Sequence, residues 1–294
     1  MSQKVDILGV GVDSVTMREA VDIIETFIEQ REPRLIATAN AEMIMRATKD
    51  AELMHILNEA ALVVPDGAGT VWAARHLGYE MPERVAGYDL AQELMALAPE
   101  RGQKVYFFGS APGIAEKAKA KAESLYPGIQ VAGVRNGFFA EADEQRIIGE
   151  IKAAKPDILL AALGVPKQEK WLYAHLGELQ VPVAIGVGGT LDVMAGAVRR
   201  APRWMQKAKL EWLFRGLLQP KRAGRLVALP QFVLKVKEYK GRNSKKEVIS
   251  ELITELEYLS KLKEEAIKII QDSLDSYRHQ IEPRIIAERK ARGY

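Results

Sequence analysis

Short apolar runs alternate with helical patterns through residues 1–198, and this alternation limits the fold more than any other feature of the sequence. The run Ile158–Leu163 contains no polar side chain, which is typical of a central strand covered on both faces. The alternation predicts an α/β fold, a Rossmann-like and mostly parallel sheet with helices on both faces, and leaves strand order open. The candidate strands are Val5–Val10, Leu35–Ala39, Leu62–Val64, Val105–Gly109, Ile129–Val134, Ile158–Leu163 and Val183–Val187. Helices are predicted near 17–30, 41–60, 69–77, 88–101, 112–126, 142–154, 167–177 and 190–195.

Charge is distributed unevenly along the chain, although the formal net charge is only +3. Residues 1–198 hold 19 Lys/Arg and 27 Asp/Glu, a net charge of −8. Residues 199–242 hold 13 basic and 2 acidic residues, a net charge of +11, and residues 243–294 hold 10 of each. We therefore predict three parts with these bounds: the α/β domain, a basic helical appendage and an amphipathic helical tail. An acidic body with one basic segment indicates a polyanionic partner at that segment.

What the sequence lacks excludes several kinds of chemistry. It has no cysteine, so disulfides, thiolate metal sites and a cysteine nucleophile are excluded. The longest uncharged stretch, Leu179–Leu191, has 13 residues, whereas a membrane span needs about 20. Asp6 and Asp13 stand where a secretion signal would be apolar, so we expect a cytoplasmic protein. The histidines match no metal-ligand spacing and no Asp-x-Asp triplet occurs, so we expect no metal site.

Polar and glycine-rich clusters follow four of the predicted strands. In open α/β sheets, ligands bind beyond the carboxyl ends of the strands. Because parallel strands end at one edge of the sheet, the four clusters predict one composite site. They are Thr38–Glu42, Pro65–Gly69, Gly164–Trp171 and Gly186–Asp192.

Individual residues in these clusters and nearby have both a structural and a functional interpretation. Asp66, between proline and glycine, is typical of a turn, but at a strand end it also suits a general base for a hydroxyl. Gln168 offers a donor and an acceptor to a sugar hydroxyl, and the adjacent Glu169 suits the positive end of a helix dipole. Arg84 is either half of an ion pair with Glu83 or a contact for an anion.

The last cluster is rich in glycine and precedes a helix predicted to begin near Thr190. Gly186, Gly188 and Gly189 would let backbone N–H groups approach an anion, or would form a tight turn. The spacing is neither a Walker loop nor Gly-x-Gly-x-x-Gly, because Leu191 occupies the sixth position. The glycines therefore argue against ATPase and NAD-dependent functions.

Taken together, the clusters and the basic segment resemble the WecG/TagA/CpsF family of bacterial glycosyltransferases. The resemblance covers about residues 4–240 and rests on short motifs that occur in the family's order. The motifs are T-A-N-A-E at 38–42, P-D-G-A-G at 65–69, E-R-V-A-G-Y-D at 83–89, G-V-P-K-Q-E-K-W at 164–171, G-V-G-G-T-L-D at 186–192, R-A-P at 200–202 and L-E-W-L-F-R at 210–215.

The resemblance implies an inverting, metal-independent glycosyltransferase that needs no cofactor, the UDP-sugar being a substrate. The reaction would move N-acetylmannosamine from UDP-N-acetylmannosamine to undecaprenyl-diphosphate-linked N-acetylglucosamine, in the linkage unit of wall teichoic acid. Relatives transfer N-acetylmannosaminuronic acid or glucose into other surface polysaccharides, so the resemblance leaves the donor open.

The resemblance also implies roles for individual residues. Asp66 matches the proposed base, and Gly189 and Asp192 match the nucleotide end of the site. The predicted catalytic group is Asp66, Thr38, Gln168 and Arg84. The predicted substrate-binding residues are Asn40, Glu42, Gly67, Gly164, Lys167, Gly188, Gly189 and Asp192.

The expected partners are the UDP-sugar donor, the polyprenyl-diphosphate-linked sugar acceptor and the anionic inner surface of the membrane. Arg215, Arg222 and Arg225 match arginines of an appendage that is thought to close the site at the membrane. We therefore expect a peripheral protein at the cytoplasmic face of the cell membrane. The apolar stripe of the tail leaves a homo-oligomer open.

A non-catalytic module that binds nucleotides or nucleic acid is the alternative from another class. Trp204, Trp212 and Phe214 are interleaved with the basic residues, as in proteins that stack single-stranded nucleic acid. That alternative has no use for the carboxylate of Asp66 or for the composite site. We therefore favour the enzyme and expect no nucleic-acid partner.

Overall fold

The computed structural model describes residues 3–202, 205 and 229–241, together with a set of helical residues between 250 and 275. They belong to two units, Met1–Lys237 and Glu238–Tyr294. Arg215, Arg222 and Arg225 lie outside the described residues, so their role and the three predicted parts stay predictions. In the second unit, the residues described after 249 are exposed and helical, and they are 250, 253–254, 257, 260–261, 263–264, 267–268, 271–272 and 275.

A hairpin precedes the first helix, where the sequence predicted one strand over Val5–Val10. Its strands, β1 (Lys4–Ile7) and β2 (Val10–Asp13), pair antiparallel. The prediction was wrong because the chain reverses at Leu8 and Gly9, whose φ angles are 57° and 91°. The hairpin is attached to the rest of the unit by the buried Asp13, whose Oδ2 accepts a hydrogen bond from the Val63 N–H at 2.7 Å.

Six further strands form the central sheet: β3 (Arg34–Ala39), β4 (Leu62–Pro65), β5 (Lys104–Gly109), β6 (Gln130–Arg135), β7 (Ile158–Ala162) and β8 (Val183–Gly186). Their order is β4-β3-β8-β7-β5-β6, and every neighbouring pair is parallel. The predicted α/β fold is therefore confirmed. Because β8 returns between β3 and β7, the segments that follow β4, β3, β8 and β7 lie side by side at one edge of the sheet.

Helices cover both faces of this sheet. Those of residues 3–202 are α1 (Met17–Gln30), α2 (Ala41–Ala47), α3 (Ala51–Glu59), α4 (Ala68–His76), α5 (Gly87–Arg101), α6 (Ile114–Leu125), α7 (Glu144–Ala154), α8 (Lys167–Leu179) and α9 (Thr190–Met194). One buried cluster joins α1, α5, α6 and α9 to one face, and it includes Phe107. The neighbouring Phe108 faces the opposite way, and its ring centroid lies 4.7 Å from that of Trp171 in α8. The helix predicted over 41–60 is two helices, because Asp50 caps α3.

Residues 229–237 are helical and pack on the same unit close to the carboxyl edge. Phe232 is completely buried. A Cβ atom on Gly69, in the first turn of α4, would lie only 3.1 Å from Leu229 Cδ1. Within the described residues, this segment of the basic appendage therefore contacts the unit beside the cluster at Pro65–Gly69.

Candidate active site

Asp66 and Asn40 follow the neighbouring strands β4 and β3, and the backbone around both is held by hydrogen bonds. The Asp66 N–H donates to Ala39 O at 3.0 Å, and Thr70 Oγ1 donates to Asp66 O at 3.1 Å. Asn40 Oδ1 accepts from the Met43 N–H at 3.0 Å and so caps α2. Asp66 is half-buried at the edge of the sheet, where a carboxylate is accessible to a substrate hydroxyl.

Thr38 joins β3 to β8 beneath this edge. Its Oγ1 donates to Gly186 O at 3.0 Å, and the residue is 5% exposed. A Cβ on Gly87, the first residue of α5, would lie 2.9 Å from Thr38 Cγ2. Gly67 is also close to this group, since its own Cβ would lie 3.8 Å from Asn40 Cβ. The structure thus brings the predicted residues after β3 and β4 together with the glycine that ends β8.

Gln168 links the two loops that follow β7 and β8. Its Oε1 accepts from the Gly164 N–H at 3.2 Å and from the Gly188 N–H at 3.1 Å. Its Nε2 donates to Glu169 Oε1 at 2.7 Å. Among the described residues, one Nε2 hydrogen remains for a further partner, because an amide nitrogen carries two.

Glu169 was interpreted from the sequence as a partner for the helix dipole, which an exposed side chain would satisfy. It is instead 1% exposed. Burial raises the pKa of its carboxyl to about 7, although the hydrogen bond from Gln168 acts in the opposite direction. Glu169 was not among the site residues predicted from the sequence, because glutamate is common in the first turn of helices.

Asp192 contacts a second residue that sequence reasoning missed. Ser110, directly after β5, donates from Oγ to Asp192 Oδ2 at 3.1 Å. Its φ of 59° is in the left-handed region, which serine rarely adopts. Its N–H donates to Ala162 O at 2.9 Å and its carbonyl accepts from the Gly137 N–H at 2.8 Å, so this conformation is held from both sides. Unusual backbone held in this way is typical of functional sites.

Two arginines meet at Asp89, in the first turn of α5. Arg200 Nη1 lies 2.7 Å from Asp89 Oδ1, and Arg84 Nη2 lies 3.7 Å from Asp89 Oδ2. The Arg200 guanidinium also lies over the Tyr88 ring, 4.4 Å from its centroid. Glu83 Oε2 accepts from the Met17 N–H at 2.8 Å. Arg84 therefore shares an acidic partner with Arg200, which lies at the start of the basic appendage.

The remaining predicted residues follow the same strands and have partners of their own. Glu42 Oε1 pairs with Arg46 Nη2 at 3.1 Å, and the Lys167 ammonium lies 4.3 Å from the centroid of the Phe139 ring. Gly189 immediately precedes α9, which is only one turn long. Within the described residues, no three metal-ligating side chains form a cluster. A reaction that needs no metal stays a prediction.

This is a parallel α/β sheet with a carboxylate, an amide and hydroxyl groups at its carboxyl edge, the edge at which proteins of this class bind their ligands. The chain belongs to the glycosyl transferase WecG/TagA/CpsF family, whose sequence pattern matches residues 5–246. The resemblance stated from the motifs is thus confirmed, and the protein is a glycosyltransferase.

Proteins similar to this chain include enzymes of Staphylococcus aureus. The N-acetylglucosaminyldiphosphoundecaprenol N-acetyl-beta-D-mannosaminyltransferase of strain NCTC 8325 / PS 47 is 35% identical over 244 residues, which are 82% of this chain and 95% of the relative. The enzyme of the same name from strain MRSA252 is 34% identical over the same shares of both chains. Of the helices in the described ranges, none combines the length and apolarity that a membrane crossing requires.

Proposed function

We propose that this glycosyltransferase moves N-acetylmannosamine from UDP-N-acetylmannosamine to N-acetylglucosaminyl-diphospho-undecaprenol, with inversion at the anomeric carbon. The donor sugar and the acceptor follow the name of the Staphylococcus aureus relatives. The identity of 35% extends over nearly the whole length of those relatives, which favours a shared reaction.

The observation that carries the proposal is the position of Asp66. Inverting transfer needs one base, which takes the proton from the acceptor hydroxyl as the oxygen attacks the anomeric carbon. Asp66 stands at the carboxyl end of β4, beside Asn40 and above the Thr38–Gly186 contact. In this proposal the carboxylate accepts the proton, the new glycosidic bond forms, and the bond to the UDP oxygen breaks on the opposite face of the sugar.

The departing diphosphate needs positive charge and hydrogen-bond donors. The backbone N–H groups of the glycine-rich loop after β8 and the guanidinium of Arg84 are candidates, since guanidinium groups bind phosphate through two parallel bonds. Arg215, Arg222 and Arg225 are candidates from the basic appendage on the strength of their sequence match. The Ser110–Asp192 contact suits the nucleotide end, where an acidic side chain can accept from ribose or base.

The direct test is a donor panel with a short-chain lipid-diphosphate-linked N-acetylglucosamine. We expect UDP release from UDP-N-acetylmannosamine only when the acceptor is present, and a β-linked product by NMR. If UDP is released from UDP-N-acetylmannosaminuronic acid or UDP-glucose instead, the protein is still a glycosyltransferase but the proposed donor sugar is wrong. A product with retained configuration would contradict the role of a single base.

We also propose that the basic appendage holds the enzyme on the anionic inner surface of the membrane. Residues 199–242 carry a net charge of +11, which favours acidic lipids. Arg222→Glu should weaken binding to vesicles containing phosphatidylglycerol about 30-fold, because it changes the charge by two units and each unit near such a surface contributes about 1 kcal/mol. Sedimentation with vesicles measures this, and activity should fall in parallel.

The matched control for this charge reversal is Arg18→Glu. Arg18 is 92% exposed on α1, in the acidic part of the chain, and the change alters net charge equally. We expect Arg18→Glu to bind vesicles within about twofold of the unmodified protein, since screening limits the reach of a surface charge to about 10 Å. An equal loss in both variants would assign membrane binding to net charge alone.

A further inference from the structure

Glu169 is buried at the site, although a side chain that only interacts with the helix dipole could remain exposed. It lies in the first turn of α8, and both it and Gln168 are 1% exposed. Long side chains in a helix lean towards its N-terminus, which here adjoins the loop after β7. The carboxyl therefore lies inside the protein, among the elements that carry the predicted substrate-binding residues.

The Gln168 amide has one orientation that satisfies its partners. Its oxygen accepts from the N–H groups of Gly164 and Gly188, at 3.2 and 3.1 Å, so the oxygen faces the two loops. Its nitrogen consequently faces Glu169 Oε1, at 2.7 Å. Without that acceptor the buried amide nitrogen would lose its partner, and the amide would be free to rotate away from the loops.

The same two side chains occupy the space beside Gly186. A Cβ there would lie 2.6 Å from Gln168 Nε2 and 2.9 Å from Glu169 Oε1, so the pair and a side chain at this position exclude each other. The carbonyl of Gly186 accepts the hydrogen bond from Thr38. Glu169 is thus connected through one backbone segment to a predicted catalytic residue.

The second carboxyl oxygen of Glu169 indicates that this carboxyl does not stabilise the fold. Oε2 is buried and has no hydrogen-bond partner among the described residues. An unsatisfied buried polar atom costs about 1–3 kcal/mol, so an apolar side chain of similar size would be less costly at this position. The carboxyl therefore needs another reason, and the contact to Gln168 supplies it.

We propose that Glu169 is a positioning residue for the sugar-nucleotide donor: it fixes the Gln168 amide, which holds the loops at Gly164 and Gly188 at the spacing that the donor requires. This inference rests on the proposed function. Glu169 acts through Gln168 and does not itself touch the donor.

The test is a double-mutant cycle on the full chain with Glu169→Leu and Gln168→Met. Glu169→Leu should raise the donor KM about tenfold, the loss expected from one buried hydrogen bond, and change kcat less than about threefold. In the Gln168→Met background the same change should raise the donor KM less than about twofold, because the contact is already absent.

Glu169→Gln keeps an oxygen acceptor, and its donor KM should stay within about threefold of that of the unmodified enzyme. Glu178→Leu, at the exposed far end of α8, is the matched control.

Amide hydrogen exchange at Gly164 and Gly188, measured by NMR, separates this inference from the proposed function. Glu169→Leu should accelerate exchange at both amides about tenfold, whereas Glu169→Gln should leave it unchanged. Absence of turnover with every UDP-sugar in the unmodified enzyme would overturn the proposed function and leave the exchange measurement valid. Unchanged exchange in Glu169→Leu, additive effects in the cycle, or equal impairment by leucine and glutamine would each overturn the positioning role.

Discussion

Replacing Asp66 by asparagine is expected to lower kcat by at least about 100-fold, while UDP affinity changes less than about threefold. Asparagine has nearly the same shape but cannot accept the proton of the acceptor hydroxyl. The fold should tolerate the change, because asparagine has the same size and two backbone bonds also hold this position: the Asp66 N–H to Ala39 O and Thr70 Oγ1 to Asp66 O. Single-turnover transfer and calorimetric titration with UDP measure the two quantities.

Asp22→Asn is the control for the loss of one carboxylate. Asp22 is 70% exposed on α1, and its pair with Arg18 spans 3.9 Å, so its contribution to stability is small. We expect its kcat and thermal midpoint to match those of the unmodified enzyme. Near-full turnover in Asp66→Asn would show that Asp66 is not the catalytic base. Loss of UDP binding in the same variant would instead assign Asp66 to nucleotide binding.

Much of the fold could be predicted because its strands are short, apolar and separated by helical patterns. The uninterrupted apolar run beginning at Ile158 is central strand β7, as expected. The hairpin could not be read, because Leu8 takes φ 57° in a turn where glycine or asparagine would have given the signal. The return of β8 between β3 and β7 has no signature either, because strands buried on both faces fit many neighbours equally well.

The site could be predicted where polar residues directly follow strands, as Asn40 and Asp66 do. Topology then brings them together without further information. The two missed residues depend on contacts that sequence cannot show. Ser110 reaches Asp192 across 82 positions of sequence, and Glu169 matters only because its side chain turns inward to Gln168. Local patterns predict which residues lie at the carboxyl edge, whereas side-chain orientation within the edge depends on packing.

Gly109→Ala is expected to lower the free energy of unfolding by more than about 3 kcal/mol, which shifts the thermal midpoint down by roughly 6–12 °C for a unit of this size. Gly109 ends β5 with φ 130°, a conformation that alanine avoids. An added Cβ would lie 2.4 Å from the backbone carbon and oxygen of Ala162. These are atoms of the paired strand β7 and cannot rotate away, so the two strand ends must separate.

Substitutions at two other glycines distinguish the cost of an unfavourable backbone conformation from the cost of a steric clash. Gly102 has φ 64°, and no atom of the described residues lies within 4 Å of an added Cβ, so Gly102→Ala should cost only about 1–2 kcal/mol. Gly149, inside α7, also has open space, and Gly149→Ala should stabilise by about 0.5–1 kcal/mol. Thermal and urea unfolding followed by circular dichroism rank the three variants.

The collision at Gly109 also bears on catalysis, because the next residue is Ser110. The bond from the Ser110 N–H to Ala162 O, at 2.9 Å, holds this serine where its hydroxyl reaches Asp192. Separation of the two strand ends would therefore weaken UDP binding in Gly109→Ala even at temperatures where the protein stays folded. Gly102→Ala lies at the opposite edge of the sheet and should bind UDP normally. If Gly109→Ala melts within about 2 °C of the unmodified enzyme, the ends of β5 and β7 separate without a cost in stability. In that case the contact between the two strands does not fix Ser110, and the proposed support of Asp192 would be wrong.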